Sequence, residues 1–239
     1  MTTTLRYQVR SWDSSFFKRK IGDIDWTSAG SGDATNFELI TTKIASDDSE
    51  KIYLLNQADF HYCEGEISFT KNLNKQVSSE FETADDSDIP ALMKLAQNLY
   101  QHTRFKAPWF SKNEANTFYC EWLQKAVKGE FDDLCIVQRL HNDIVGFITI
   151  RICNHVAQVG LLGVNPAYQG QGIGHKLIQN CESYLAPTEA KILKVSTQLS
   201  NVAASNLYIS NHFQVENTAM WFYKNLRLSK QKPFNHVKT

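Results

Sequence analysis

The run Leu161-Leu-Gly-Val-Asn-Pro-Ala-Tyr-Gln-Gly-Gln-Gly-Ile-Gly-His-Lys-Leu carries the densest chemical signal in this 239-residue sequence. An apolar strand feeds a glycine-rich turn, and a helical pattern begins at once. Gly170, Gly172 and Gly174 let the backbone approach a ligand closely. The free N–H groups of the helix start then face that ligand, and an anion suits them; a diphosphate fits. A glycine turn without a ligand is the plain alternative. The P-loop pattern Gly-x-x-x-x-Gly-Lys-Ser/Thr is absent. A dinucleotide fingerprint needs Gly-x-Gly-x-x-Gly and an acidic residue roughly 20 positions on. The spacing here is Gly-x-Gly-x-Gly, and the strands before it read as hairpins, so both nucleotide motifs fail.

The elements that position this turn follow from periodicity. Glu80-Phe-Glu-Thr reads as a short strand. Ala84-Asp-Asp-Ser-Asp-Ile-Pro starts a helix, with Pro90 in its first turn and Leu92, Leu95, Ala96 and Leu99 on one apolar face. A second helix covers roughly Asn113–Lys128 and ends at Gly129. Leu134–Leu140, Ile144–Ile152 and Val156–Val164 read as three antiparallel strands. The helix Gly172–Ala186 buries Ile173, Leu177, Cys181 and Leu185. Ile192–Thr197, Asn201–Asn211 and Val215–Lys224 follow as strand, helix and strand. The order predicts an α/β fold with a mixed, mostly antiparallel sheet, in which the strands flanking the glycine-led helix are parallel neighbours. Loops fall at 27–36 and 71–79. The second divides the chain into 1–77, a smaller α/β domain, and 78–226, with a polar tail at 227–239.

Composition excludes several classes. Lys+Arg is 25 and Asp+Glu is 25, so the net charge of zero leaves no basic footprint for nucleic acid. The five cysteines are scattered without a Cys-x-x-Cys pair, and the His residues form no metal-binding pattern. The N-terminus lacks an apolar signal segment, and no run approaches the ~18 apolar residues of a membrane span. The sequence reads as a cytoplasmic protein with no membrane or nucleic-acid partner and no metal, and it leaves a homodimer open.

Gln169-Gly-Gln-Gly172-Ile-Gly174 after a strand resembles the acetyl-CoA signature of the GNAT (Gcn5-related N-acetyltransferase) superfamily. The companion pattern Asn201, Ala204, Leu207, Tyr208 and Phe213 resembles it too. One departure is His212 where the family usually has Gly, which predicts a differently shaped helix end. Arg104-Phe-Lys-Ala-Pro-Trp-Phe, Phe118–Asp132, Val215–Tyr223, Trp12-Asp-Ser-Ser-Phe-Phe and Glu64-Gly-Glu66 are similar to family members that acetylate a nucleotide-linked amino sugar. That resemblance implies acetyl transfer from acetyl-CoA to dTDP-4-amino-4,6-dideoxy-D-galactose, in the pathway to enterobacterial common antigen. A different amine acceptor (a peptide N-terminus or a small polyamine) and a non-catalytic CoA sensor are the alternatives.

The resemblance also implies roles. Tyr208 is the candidate acid for the leaving thiolate, or else a packed aromatic. Glu64 is the candidate base or amine-orienting group, or else a surface strand carboxylate. Backbone N–H groups at Leu162, Gly163 and Val164 would hold the thioester carbonyl. Those of Gln169, Gly170, Gln171, Gly172, Ile173 and Gly174 would take the pyrophosphate. Asn201, with Leu207 nearby, would meet the pantetheine arm, and Asn201 is equally an N-cap. Arg104, Lys106 and Trp109 are acceptor-side candidates, since a nucleotide diphosphate needs cations and stacking faces; Phe105, Trp109 and Phe110 read equally as core anchors.

Leu55-Asn-Gln-Ala-Asp-Phe60 also resembles Tyr208-Ile-Ser-Asn-His-Phe213, 153 positions later. The N-terminal part reads either as a decayed, truncated GNAT-like half without a glycine turn or as a chance likeness.

Overall fold

A computed structural model describes residues 5–27, 32–74 and 79–226. The boundary expected at 77/78 and the tail 227–239 lie outside them, as do parts of the two expected loops.

The elements in chain order are β1 (Tyr7–Val9), α1 (Ser11–Phe17), β2 (Ile21–Ile24), β3 (Leu39–Ala45), α2 (Ser49–Gln57), β4 (His61–Asn72), β5 (Glu82–Thr83), α3 (Ile89–Ala96), α4 (Lys112–Val127), β6 (Leu134–Leu140), β7 (Asp143–Cys153), β8 (Val156–Val164), α5 (Ile173–Leu185), β9 (Ile192–Gln198), α6 (Val202–Ser210) and β10 (Gln214–Asn225). They form two compact units. The first takes residues up to Gly65, Arg104–Ser111, and residues from Thr218; the second takes Glu66–Thr103 and Lys112–Asn217.

The second unit carries the strand order β4-β9-β8-β7-β6-β5. Its pairs are antiparallel except β8 with β9, the parallel neighbours expected on either side of α5. α5 lies on β6, β7 and β8 because Leu177, Cys181 and Leu185 recur every fourth residue, and all three are fully buried. Gly146 of β7 faces it, since a Cβ there would meet Ile173 and Leu177. Gly129 closes α4 in the left-handed region, as its sequence position required. One expectation fails. α3 stops at Ala96 because the chain turns through Asn98 at φ +63°, so Leu99 is off the helix face. Leu99 instead lies over Gly163, where a Cβ would come within 2.5 Å of it.

The first unit carries β1-β2-β3-β10, with β2 parallel to β3 and the other pairs antiparallel. Its core gathers Ile24, Ile40, Ile44, Leu55, Phe60 and Phe222.

The faint internal likeness has a structural counterpart. β3, α2 and β4 have 7, 9 and 12 residues, and so do β9, α6 and β10. Every element begins 153 positions before its counterpart: Leu39 and Ile192, Ser49 and Val202, His61 and Gln214. Asp48 caps α2 through the Lys51 N–H, and Asn201 caps α6 through the Ala204 N–H. Both helices end in a Schellman turn. Phe60 N–H reaches Leu55 O and Phe213 N–H reaches Tyr208 O, with Asp59 at φ +60° and His212 at φ +64°. The helix end at His212 is therefore the left-handed turn a glycine would make, not a differently shaped one. His212 enters that conformation at a cost in strain, and the two closing hydrogen bonds hold it there. Lys224 lies over the Phe60 ring at 5.8 Å and Lys71 over Phe213 at 5.7 Å, the same contact one module apart. Pairing is reciprocal: β3 pairs with β10 as Ala45↔Ala219, and β9 pairs with β4 as Gln198↔Glu66. Each module gives its last strand to the other's sheet, which is why neither compact unit is continuous in sequence. Among the described residues, the first module shows no counterpart of α5. Residues 25–38 connect β2 to β3 with a single 3-10 turn and, among the described residues, no α-helix.

Candidate functional site

In the second unit, β8 and β9 pair only from Val156↔Ile192 to Gln158↔Lys194. Beyond that point β8 continues to Val164 and β9 to Gln198 with no further pair between them, so a groove opens where the sheet would otherwise close. The pleat settles which amides face it. Asn165 N–H donates to Val145 O on the β7 side at 2.8 Å, and Leu161 N–H also points there. Alternation sends the Gly163 N–H the same way and turns the Leu162 and Val164 N–H groups toward the groove. Of the three residues expected to hold a thioester carbonyl, these two present donors. Gly163 serves packing, because Leu99 and Phe147 occupy the space of its side chain.

The glycine turn follows directly. Asn165 caps a short 3-10 turn through the Ala167 N–H. Gln169 Nε2 donates to Val164 O and Gln171 Nε2 to Ala167 O, so both side chains brace the turn. Gly170 and Gly172 stand at φ +75° and +82°, with nothing within 4 Å of where a Cβ would be. The first intrahelical bond of α5 runs from Lys176 N–H to Gly172 O. The N–H groups of Ile173, Gly174 and His175 precede it, and no side chain caps them. An uncapped helix start behind two open left-handed glycines fits a diphosphate. Gly174 differs in kind: a Cβ there would stand 2.9 Å from Leu207 Cδ2, so this glycine lets α5 and α6 approach. Leu207 is therefore engaged with Gly174, and Asn201 Oδ1 is engaged as the cap of α6.

Tyr208 is buried between Phe69 and Phe213, with ring centroids at 5.4 and 5.7 Å. Its hydroxyl makes no hydrogen bond to the described residues. Burial raises its pKa well above the ordinary phenol value, so it keeps its proton. The first module holds Leu55 at the matching position, fully buried and without a proton to give.

In the first unit, Glu64 is 6% exposed on β4. Its Oε1 accepts the Gly65 N–H at 3.1 Å, and its Oε2 accepts from Lys106 Nζ at 2.6 Å. It is a buried, paired carboxylate, not a surface one. Arg104 lies between the Trp221 ring (4.0 Å) and the Phe105 ring (4.1 Å), and donates to Tyr223 Oη at 2.7 Å. Trp109 is half-buried and meets Tyr223 edge-on at 5.1 Å, while Phe105 and Phe110 are core residues. Cys63 donates to Arg104 O, and burial pushes its thiol up to about 12. Arg104, Lys106 and Glu64 are thus gathered in one cluster, with Trp109 attached through Tyr223. Sequence reasoning missed Trp221 and Tyr223. Their spacing of two in an alternating strand was the available signal, since it puts both rings on one face.

Among the described residues, no three His, Cys, Asp or Glu side chains form a metal-binding group. No helix among them is long and apolar enough to cross a membrane.

Residues 92–213, which contain the groove, the glycine turn and α6, match the acetyltransferase (GNAT) family. The chain belongs to that family. This GNAT acetyltransferase is 32% identical over 220 residues to a dTDP-fucosamine acetyltransferase of Escherichia coli O6:H1, covering 90% of this chain and 96% of that one. It is 21% identical to the spore coat polysaccharide biosynthesis protein SpsD of Bacillus subtilis, over 92% of this chain and 82% of that one. Its fold is similar to a tandem GNAT protein from the clavulanic acid biosynthesis pathway, with a TM-score of 0.57 and 10% identity over 86% of this chain and 75% of that one.

Proposed function

We propose that this enzyme transfers the acetyl group of acetyl-CoA to the 4-amino group of dTDP-4-amino-4,6-dideoxy-D-galactose. The observation that carries the reading is the 32% identity to the dTDP-fucosamine acetyltransferase across nearly all of both chains, a length well beyond the GNAT match at residues 92–213. SpsD, named for polysaccharide biosynthesis, also favours a sugar over a peptide.

Bound acetyl-CoA supplies the acetyl thioester. The Leu162 and Val164 N–H groups polarise its carbonyl, and the start of α5 with the Gly170–Gly172 turn holds the diphosphate. The acceptor amine arrives as an ammonium. One of its protons must go to a base before the neutral nitrogen can attack, and Glu64, the buried carboxylate that Lys106 holds in the first unit, is the proposed base. The C–N bond forms, the C–S bond breaks, and Tyr208 hands its proton to the departing sulfur; the phenolate is restored by the second proton that the cationic nitrogen gives up as it becomes an amide. An ordinary phenol near pKa ~10 is a weak donor for a thiolate near ~8.5. Burial raises the phenol's pKa further, and a thiolate formed in the same apolar surroundings is made more basic by the same cause. Lys106 is a proposed cation for the nucleotide diphosphate. The reaction requires neither a membrane nor a nucleic acid, is consistent with a cytoplasmic enzyme of enterobacterial common antigen synthesis, and is compatible with a homodimer.

Turnover of this nucleotide sugar by the wild type and by Glu64→Gln tests the reading. The wild type turns over, and the glutamine variant loses about 10²–10⁴-fold, the range of general acid–base catalysis. A wild type inert toward this acceptor overturns the reading, and an unimpaired Glu64→Gln removes Glu64 from the mechanism.

A further inference from the structure

We propose that Asp132 is a positioning residue for the acetyl-CoA groove, acting through Thr149 on the bend at which β8 leaves β9. The argument starts from the register. β7 and β8 pair as Ile148↔Leu162 and then as Ile150↔Val159, so β8 carries one extra residue opposite Thr149. The last β8–β9 pair, Gln158↔Lys194, comes immediately before this bulge. A bulge bends and twists its strand, and here it turns β8 out of the sheet where the groove begins.

The bulge has a built support. Thr149 is fully buried, and its Oγ1 accepts the Leu161 N–H at 2.8 Å, a donor that the irregular register leaves without a strand partner. The same hydroxyl donates to Asp132 Oδ2 at 2.6 Å, and the Trp122 indole N–H donates to that oxygen at 2.9 Å. Gly160 completes the arrangement, because a Cβ there would stand 2.1 Å from Asp132 Oδ2. The carboxylate therefore fills the place of a side chain inside the bulge. With Leu161 N–H held toward β7, alternation turns the Leu162 and Val164 N–H groups toward the groove, where the thioester carbonyl needs them.

Asp132 is 1% exposed, and its Oδ1 has no partner among the described residues. An unpartnered buried oxygen lowers stability, so packing alone does not account for an acid here. Hydrogen bonds, not charge, do the positioning: one oxygen takes both donors. An asparagine preserves that oxygen and leaves its NH₂ where Oδ1 now stands.

The test compares Thr149→Val, Thr149→Ser, Asp132→Leu and Asp132→Asn in the full chain. Acetyl-CoA affinity is read by calorimetry, KM and kcat by steady-state kinetics, and folding by circular dichroism. Thr149→Val keeps the shape and loses the hydroxyl. Its KM for acetyl-CoA rises roughly tenfold to a hundredfold, the scale of a misplacement by about 1 Å. Asp132→Leu does the same where it folds. Thr149→Ser and Asp132→Asn stay near the wild type. A folded Thr149→Val with wild-type affinity and KM overturns the proposal, as does a loss shared equally by valine and serine. A wild type that does not bind acetyl-CoA overturns the donor assignment instead, so the two failures are distinct.

Discussion

Gly172 separates the charge at the glycine turn from its backbone shape. It precedes α5 at φ +82° and ψ −1°, and open space lies where a Cβ would project. Gly172→Ala adds left-handed strain of about 1–2 kcal/mol and nothing else. Gly172→Asp adds the same strain and a carboxylate. That carboxylate sits favourably at a helix N-terminus, by about 0.3–1 kcal/mol, so the aspartate variant folds at least as well as the alanine one. Its effect appears when a diphosphate arrives. Two unit charges about 5 Å apart at an effective dielectric of about 20 repel by about 3 kcal/mol. That is more than about a hundredfold in affinity. Calorimetric titration of the three proteins with acetyl-CoA reads the difference. Gly172→Ala binds more weakly than the wild type by the space its methyl group takes, Gly172→Asp binds more than about a hundredfold more weakly than Gly172→Ala, and added salt narrows the gap between the two variants. A folded Gly172→Asp that binds as Gly172→Ala does refutes a diphosphate at the start of α5.

Other outcomes follow from the same geometry. Tyr208→Phe lowers kcat by about 10²–10⁴-fold with acetyl-CoA affinity intact, and turnover within about threefold of wild type removes it as the acid. His212→Gly relieves the φ +64° strain that ends α6. It stabilises by about 1 kcal/mol, raising Tm by about 2–4 °C in calorimetric scans, and an unchanged or lower Tm contradicts the strain argument. Burial raises the pKa of Cys63, Cys135, Cys181, Tyr208 and Tyr223 above their ordinary values of 9.0 for the thiols and 10.0 for the phenols. The unfolded chain loses these protons first, so their contribution is complete below about pH 9 and is lost as pH rises through the folded values. Urea unfolding shows stability falling as pH rises from about 9 to 10.5; a stability that holds or rises there contradicts the assignment.

What the sequence revealed depended on how local the physics was. β6 and β8 were legible residue for residue, because alternation and the turns between them are local signals. The glycine turn was legible because left-handed backbone and an uncapped helix start demand glycine at Gly170 and Gly172. Gly174 looked the same in sequence and does a different thing, since only packing places Leu207 against it. α3 was read too long: Leu99 kept the helical period, while the left-handed Asn98 ended the helix. Contacts between distant residues were out of reach. Nothing near Glu64 announces Lys106 as its partner, nor does Asp132 announce Thr149. The internal structural repeat stood between these cases. Its sequence trace is a few residues around Phe60 and Phe213, while matching caps, Schellman turns and reciprocal strand pairing repeat in the fold.

The acceptor itself gives the most direct test. Purified enzyme is incubated with acetyl-CoA and, in separate reactions, dTDP-4-amino-4,6-dideoxy-D-galactose, spermidine and an alanine-terminated peptide, and kcat/KM is measured from acetylated product by mass spectrometry. The nucleotide sugar is acetylated at least about 10³-fold more efficiently than either alternative, because all three carry an amine but only the sugar carries the diphosphate that the cations of the proposed acceptor site would pair. Equal or better turnover of the peptide or the polyamine contradicts the proposed function.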